Sequence, residues 1–197
     1  MRLRRRYAEL LRRASSLPSL PLVSSLHASL IRRGAPFLLA ASLISGYSAC
    51  GDLASARAVF DETPPTLSSR TALAGAFSAH GRCREALELF SGTEAEEAVL
   101  DDRAVTVLLA ACARAGMVDE GREVFARVPR PALQHYTCMV EMLGRAGEVE
   151  EAERLVAGME ARPDRVIFAA LLAACRVHGR VDVAERVPGL MRRYSIA

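Results

Sequence analysis

Apolar residues recur at helical spacing along almost the whole chain, most cleanly between His135 and Gly179, HYTCMVEMLGRAGEVEEAERLVAGMEARPDRVIFAALLAACRVHG. There an apolar stretch ends at a glycine, a second stretch opens with acidic residues, and Pro163-Asp164 marks the join to the next pair. Aligned in this way the chain shows Gly51, Gly81, Gly116, Gly147 and Gly179, separated by 30, 35, 31 and 32 residues. Eight residues before each glycine stand Leu43, Leu73, Leu108, Met139 and Leu171, and four before stand Tyr47, Phe77, Cys112, Leu143 and Cys175. Two residues after come Leu53, Cys83, Val118, Val149 and Val181; five after come Ala56, Ala86, Gly121, Ala152 and Ala184; eight after come Val59, Leu89, Val124, Leu155 and Val187. Each set lies on one helix face. The small residue fits a close crossing of two helices, and the glycine supplies the positive φ that ends the first helix. One hairpin cannot bury its apolar face alone, so the pattern predicts a stack of helical hairpins, all-α, elongated and without β-sheet.

Composition supports this picture and narrows the function. Half the residues are apolar but only 5% aromatic, which suits an Ala- and Leu-rich helical chain. No run of about 18 apolar residues occurs, so no spanning helix and no membrane partner are expected. The five cysteines, Cys50, Cys83, Cys112, Cys138 and Cys175, show no C-x-x-C spacing and fall mostly on inward-facing positions, which predicts buried free thiols. A net charge of +3 is too small for a polyelectrolyte clamp, so RNA binding would rest on local sites. All 26 basic residues are arginine, a bias to which we attach no functional weight.

Residues 1–36 hold two overlapping readings. The first thirteen carry Arg2, Arg4, Arg5, Arg6, Arg12 and Arg13 against the single acid Glu9, and Ser15 and Ser16 follow, as in an organellar transit segment. Tyr7, Leu10 and Leu11 also fit the first helix of an incomplete repeat, with Pro18 at the glycine position. Complete repeats are expected at 37–66, 67–101, 102–132 and 133–164, with an irregular fifth at 165–197, and the repeats set no domain boundary between them. Glutamates in TEAEEA near a helix C-terminus oppose the helix dipole, which predicts fraying near Ala95 to Val99. Pro188-Gly189 should break the last helix and leave the C-terminal edge poorly capped.

These repeats resemble the pentatricopeptide repeat family, specifically the plant organellar branch in which repeats of unequal length alternate. SACGDLASARAVFDE resembles its short repeat, LLAACARAGMVDEGREVF its long repeat, and HYTCMVEMLGRAGEVEEAERL with PDRVIFAALLAACRVHGRVDVAER its last short repeat and the start of its extension motif. The likeness runs from about Leu10 to Arg186. It implies an α-solenoid, a right-handed superhelix of antiparallel helix pairs that lays single-stranded RNA along its first helices at one base per repeat. It also implies a mitochondrial or chloroplast setting, the mitochondrion slightly preferred, and a role in transcript editing, splicing or stability.

The resemblance assigns base reading to two positions per repeat, one early in the first helix and the other the last residue of the repeat. The pairs are Ala41 with Thr66, Thr71 with Asp101, Thr106 with Ala132, and Thr137 with Asp164. A hydroxyl with a carboxylate points to guanine, whose Watson–Crick edge donates to a carboxylate as adenine cannot. With the chain parallel to the RNA, the expected core is 5′-G-N-G-3′. The alternative is that the threonines are ordinary first-turn residues and the aspartates helix caps. Arg114 and Arg145, each two residues before a repeat glycine, correspond to phosphate contacts, the alternative being plain solvated helix residues since Ala49, Ala79 and Val177 stand at the equivalent positions, and Val166 corresponds to a base-wedging residue that could equally be core.

The third repeat is short before Pro131 and the extension is truncated. The H-x-E and P-C-x-x-C strings of a zinc deaminase are absent, so no metal or cofactor site is expected. The four histidines, His27, His80, His135 and His178, have no ligand spacing. Paired carboxylates, a nucleophile with its base and a phosphate loop are missing too, which argues against an enzyme and against a small-molecule substrate. The leading expectation is an RNA-binding adaptor for C-to-U editing whose catalysis is supplied by a partner protein. A protein-binding helical scaffold and a degenerate fragment with little RNA specificity are the alternatives, the latter suggested by Ala41 and Ala169 at base-reading positions.

Overall fold

The computed structural model describes residues 6–11, 13, 17–34, 39–91 and 100–195, and among these every regular element is an α-helix. Two compact units form, residues 1–99 and 100–197. An unbroken body was the sequence expectation; the division falls within the longest interval between repeat glycines, 35 residues from Gly81 to Gly116. The expected fraying near Ala95 to Val99 lies outside the described residues.

In the first unit, residues 6–11 are helical and are followed by α1 (Leu20–Arg32), α2 (Ala40–Ala49), α3 (Leu53–Asp61), α4 (Leu67–Ala79) and α5 (Cys83–Glu88). Tyr7 and Leu11 are buried, and the Tyr7 hydroxyl lies 2.7 Å from the Ser29 hydroxyl, so the described part of the arginine-rich segment packs as the first helix of a hairpin with α1. Helix α5 is shorter than its apolar pattern implies, because Leu89 and Phe90 close it in a turn. The second unit holds α6 (Asp102–Ala115), α7 (Val118–Ala126), α8 (Leu133–Ala146), α9 (Val149–Ala157), α10 (Arg165–Val177) and α11 (Val181–Arg193).

The helix ends follow local chemistry. Asp52, Asp101 and Asp164 cap α3, α6 and α10 by accepting from the amides of Ser55, Ala104 and Ile167, and Thr66 and Ser69 form a reciprocal capping box on α4. At the other end of the first helices all five repeat glycines have φ between 65° and 85°. Gly147, at 85°, also has the His178 ring 3.4 Å from where a side chain would begin, so both backbone and space favour glycine there.

Packing follows the expected register. The residues eight and four before each glycine are all buried, from Leu43 and Tyr47 to Leu171 and Cys175. Each fully buried leucine contributes roughly 1.5–3 kcal/mol of transfer free energy. Ala56, Ala86, Gly121 and Ala152 are buried at the helix crossings, where a methyl group on Gly121 would stand 2.3 Å from Met142 Cε. The cysteines are free, with Cys83, Cys112 and Cys175 buried and Cys50 and Cys138 half-buried.

Pro188 does not break the last helix. α11 runs through it to Arg193. Val183 and Val187 are fully buried, and beyond the proline the Tyr194 hydroxyl donates to the Ala157 carbonyl at 3.2 Å while Arg162 donates to the Tyr194 carbonyl at 3.0 Å. Anchors on both sides hold the helix across one missing amide, and they tie down the end that the sequence suggested would be poorly capped.

Candidate nucleic-acid interface

Two side chains near opposite ends of the first helices fix how the second unit is assembled. His135, in the first turn of α8, accepts from the Ala132 amide through Nδ1 at 3.1 Å and donates from Nε2 to the Asp102 carbonyl at the start of α6, 3.1 Å away. These two bonds require the neutral tautomer protonated on Nε2. His178, just past α10, donates from Nε2 to the Gly144 carbonyl near the end of α8 at 2.8 Å. Start bonds to start and end to end, so α6, α8 and α10 run parallel with their N-termini along one rim. Sequence reading treated these histidines only as non-ligands; the position of His135 three residues after Ala132, where a capping-box acceptor stands, was the available signal.

On that rim lie the positions assigned to base reading. Thr106 and Thr137 occupy equivalent places in α6 and α8, both half-buried, with hydroxyls donating to the Asp102 and Leu133 carbonyls at 2.7 and 3.0 Å. The hydroxyl oxygens donate in these bonds, so their lone pairs remain acceptors. Asp164 is the N-cap of α10 and Asp101 that of α6, each through Oδ1, and among the described residues the second carboxylate oxygen accepts no hydrogen bond. Ala132 is the equivalent residue before α8. The cap reading of these aspartates is therefore realised, and it uses only half of each carboxylate. Thr71, in the first unit, differs from its counterparts: it is 3% exposed, and among the described residues its hydroxyl has no hydrogen-bond partner. Asp101, which the resemblance pairs with it, belongs to the second unit.

Val166 is 57% exposed in the first turn of α10, so it is not core. Arg114 and Arg145 are exposed in the last turns of α6 and α8, eight residues beyond Thr106 and Thr137, which is about 12 Å along the axis. Arg145 makes one long bond, 3.4 Å, to the Ala113 carbonyl and lines a cleft of about 390 Å³ with Glu141, Ala173, Val177 and His178. Arg114 stands near Cys138, whose thiol is nevertheless pushed up by burial and by Glu141.

Arginines also join the second helices to one another. Arg122 of α7 donates to Glu151 at 2.7 and 3.0 Å and also bonds Glu148 and Asp119; Arg180 bonds Glu150; Arg186 clamps Glu153 through two 2.7 Å bonds. The Arg122 hydrogen bonds hold the Glu151 carboxyl below its ordinary range, and Arg180 does the same for Glu150. Among the described residues no cluster of His, Cys, Asp and Glu could hold a metal ion, and no helix is long and apolar enough to cross a membrane.

A family model described as PPR repeat matches residues 41–63, 68–92, 103–130 and 134–162. Pentatricopeptide repeat-containing protein At3g13770, mitochondrial, of Arabidopsis thaliana is 40% identical over 192 residues, which cover 92% of this chain and 30% of that protein. Protein At1g08070, chloroplastic, of the same plant is 39% identical over 153 residues, 75% of this chain and 21% of that protein. The chain thus spans less than a third of either relative. Among solved structures, the pentatricopeptide repeat protein PPR10 in complex with an 18-nt psaJ RNA element aligns over 97% of this chain and 35% of its own, with a TM-score of 0.62 at 15% identity, which shows a common helical-repeat fold. Matched by the repeat model over more than half its length, the chain belongs to the pentatricopeptide repeat family.

Proposed function

We propose that this chain is a non-catalytic, sequence-specific binder of single-stranded RNA that acts in a mitochondrion or chloroplast, recognises C-to-U editing sites, and leaves the deamination to a partner protein. The observation that carries the reading is the common rim of α6, α8 and α10, where Thr137 and Asp164 keep free acceptor capacity after satisfying their own helices. Arg114 and Arg145, both exposed, supply charge for phosphates farther along the same helices. The organellar names of the relatives support the setting, and the RNA in the PPR10 complex supports the ligand class. In this reading Asp101, Thr106, Thr137 and Asp164 contact bases and Val166 wedges against one, whereas Thr71, expected from the repeat register to read a base, is too buried to do so directly.

Selection of the purified chain against a pool of short single-stranded RNAs tests the proposal. Enrichment of sequences with guanine two positions apart is expected, with no cytidine deamination whether or not zinc is added. Recovery of an unenriched pool, or zinc-dependent deamination by the chain alone, would refute it.

A further inference from the structure

Twelve residues before the repeat glycines stand Leu39, Ser69, Ala104, His135 and Ile167, all buried at the starts of the first helices. Leu39, Ala104 and Ile167 offer no polar side-chain atom, and Ser69 bonds only Thr66 of its own cap among the described residues. His135 is long enough to do two things at once. Its Nδ1 accepts from the Ala132 amide, as a capping-box residue does, while its Nε2 reaches into the preceding repeat and donates to the Asp102 carbonyl at 3.1 Å. That carbonyl also accepts from the Thr106 hydroxyl at 2.7 Å, and Asp102 directly follows the cap residue Asp101. The bridge therefore joins the start of α6, which carries Asp101 and Thr106, to the start of α8, which carries Thr137.

The imidazole is 0% exposed with both nitrogens engaged, so opening the bridge would leave a buried polar atom unpaired. α8 and α10 are joined differently. Ile167 has no such reach, and the tie lies at the opposite end, where His178 donates to the Gly144 carbonyl. On the rim, His135 pins the step from α6 to α8, while the step from α8 to α10 carries no such side-chain bridge among the described residues.

We infer that His135 is a positioning residue for RNA recognition. It sets the distance between the guanine site of Asp101 and that of Thr137 with Asp164, and so enforces a single nucleotide between the two guanines. The inference rests on the base assignment proposed above. Being buried, His135 touches no RNA and acts through the two helix starts it joins.

Affinities of the purified chain at low salt for RNAs carrying G-G, G-N-G or G-N-N-G in one flanking sequence test it, with A-N-A as the reference for base reading. The unmodified protein should favour G-N-G several-fold over both other spacings. His135→Asn keeps an acceptor where Nδ1 stands but has no atom in place of Nε2. It should still favour G-N-G over A-N-A, while its preference among spacings collapses. His135→Gln, which presents an acceptor and an N–H from one amide, should restore that preference. A spacing preference that survives in His135→Asn would overturn the inference and leave base reading intact, and so would an equal loss of affinity for every RNA, the mark of a purely structural role. Equal binding of G-N-G and A-N-A by the unmodified protein would overturn both readings. Should His135→Asn fail to fold by circular dichroism, nitrogen NMR of the unmodified protein decides: His135 should keep its proton on Nε2 when G-N-G RNA is bound, and loss of that tautomer on binding would overturn the inference.

Discussion

A methyl group on Gly144 would stand 2.8 Å from the Cβ of Ala174, so α8 and α10 cross at a distance that only glycine on one side allows. Two effects compete in Gly144→Ala. Alanine is the better helix former by roughly 1 kcal/mol, but the opposing atom is a Cβ that cannot rotate away, and overpacking typically costs 1–3 kcal/mol. The variant should be less stable in urea denaturation, and adding Ala174→Gly should recover part of the loss. A double variant no better than the sum of the two single losses would show that the crossing is not the cause.

The stability of the second unit should fall on acidification. Glu151 and Glu150 have folded-state pKa values below their ordinary range because of Arg122 and Arg180. A depressed carboxyl contributes stability that is complete above its unfolded pKa and is lost as pH drops through the folded one. Urea midpoints should therefore hold steady from neutral pH down to about 4.5, the ordinary glutamate range, and decline below it. Arg122→Gln should flatten that decline; an unchanged acid slope would contradict the assignment.

Asp164 has two duties that substitutions can separate. Asparagine caps helices about as well as aspartate, so Asp164→Asn should leave stability near the parent, whereas Asp164→Ala should lose about 1 kcal/mol. By the family's code, Asp164→Asn should also move base preference at its position from guanine towards adenine. A change in stability with none in preference would leave Asp164 a cap and nothing more.

Much of the hairpin architecture was legible because it follows from short-range rules. The buried register of Leu43, Leu108 and Leu171 needs only helical periodicity, and the positive φ of Gly147 only the end of that periodicity. Pro188 was misread because what holds α11 together, Tyr194 and Arg162, lies outside the local pattern. The His135 and His178 bonds escaped notice since their acceptors are backbone carbonyls, which leave no mark on residue type. Thr71 and Thr137 share a register, yet one is buried and the other half-buried, a difference set by surrounding packing and invisible to spacing.

Arg145→Ala should weaken binding to all RNAs alike, because a phosphate contact carries no sequence information. The slope of log affinity against log salt should become shallower by about 0.7, the counterion release expected for one contact on a single strand. A preference that changes with base identity would place Arg145 on the bases.

The central claim, that this chain reads RNA sequence, is tested most directly by the affinity of the unmodified protein for two short RNAs that differ only in carrying G-N-G or A-N-A, at low salt. Each good base contact is worth roughly 1–3 kcal/mol of discrimination, so G-N-G should bind at least several-fold tighter. Equal binding would contradict the base assignment of Thr137 and Asp164 and with it the adaptor function.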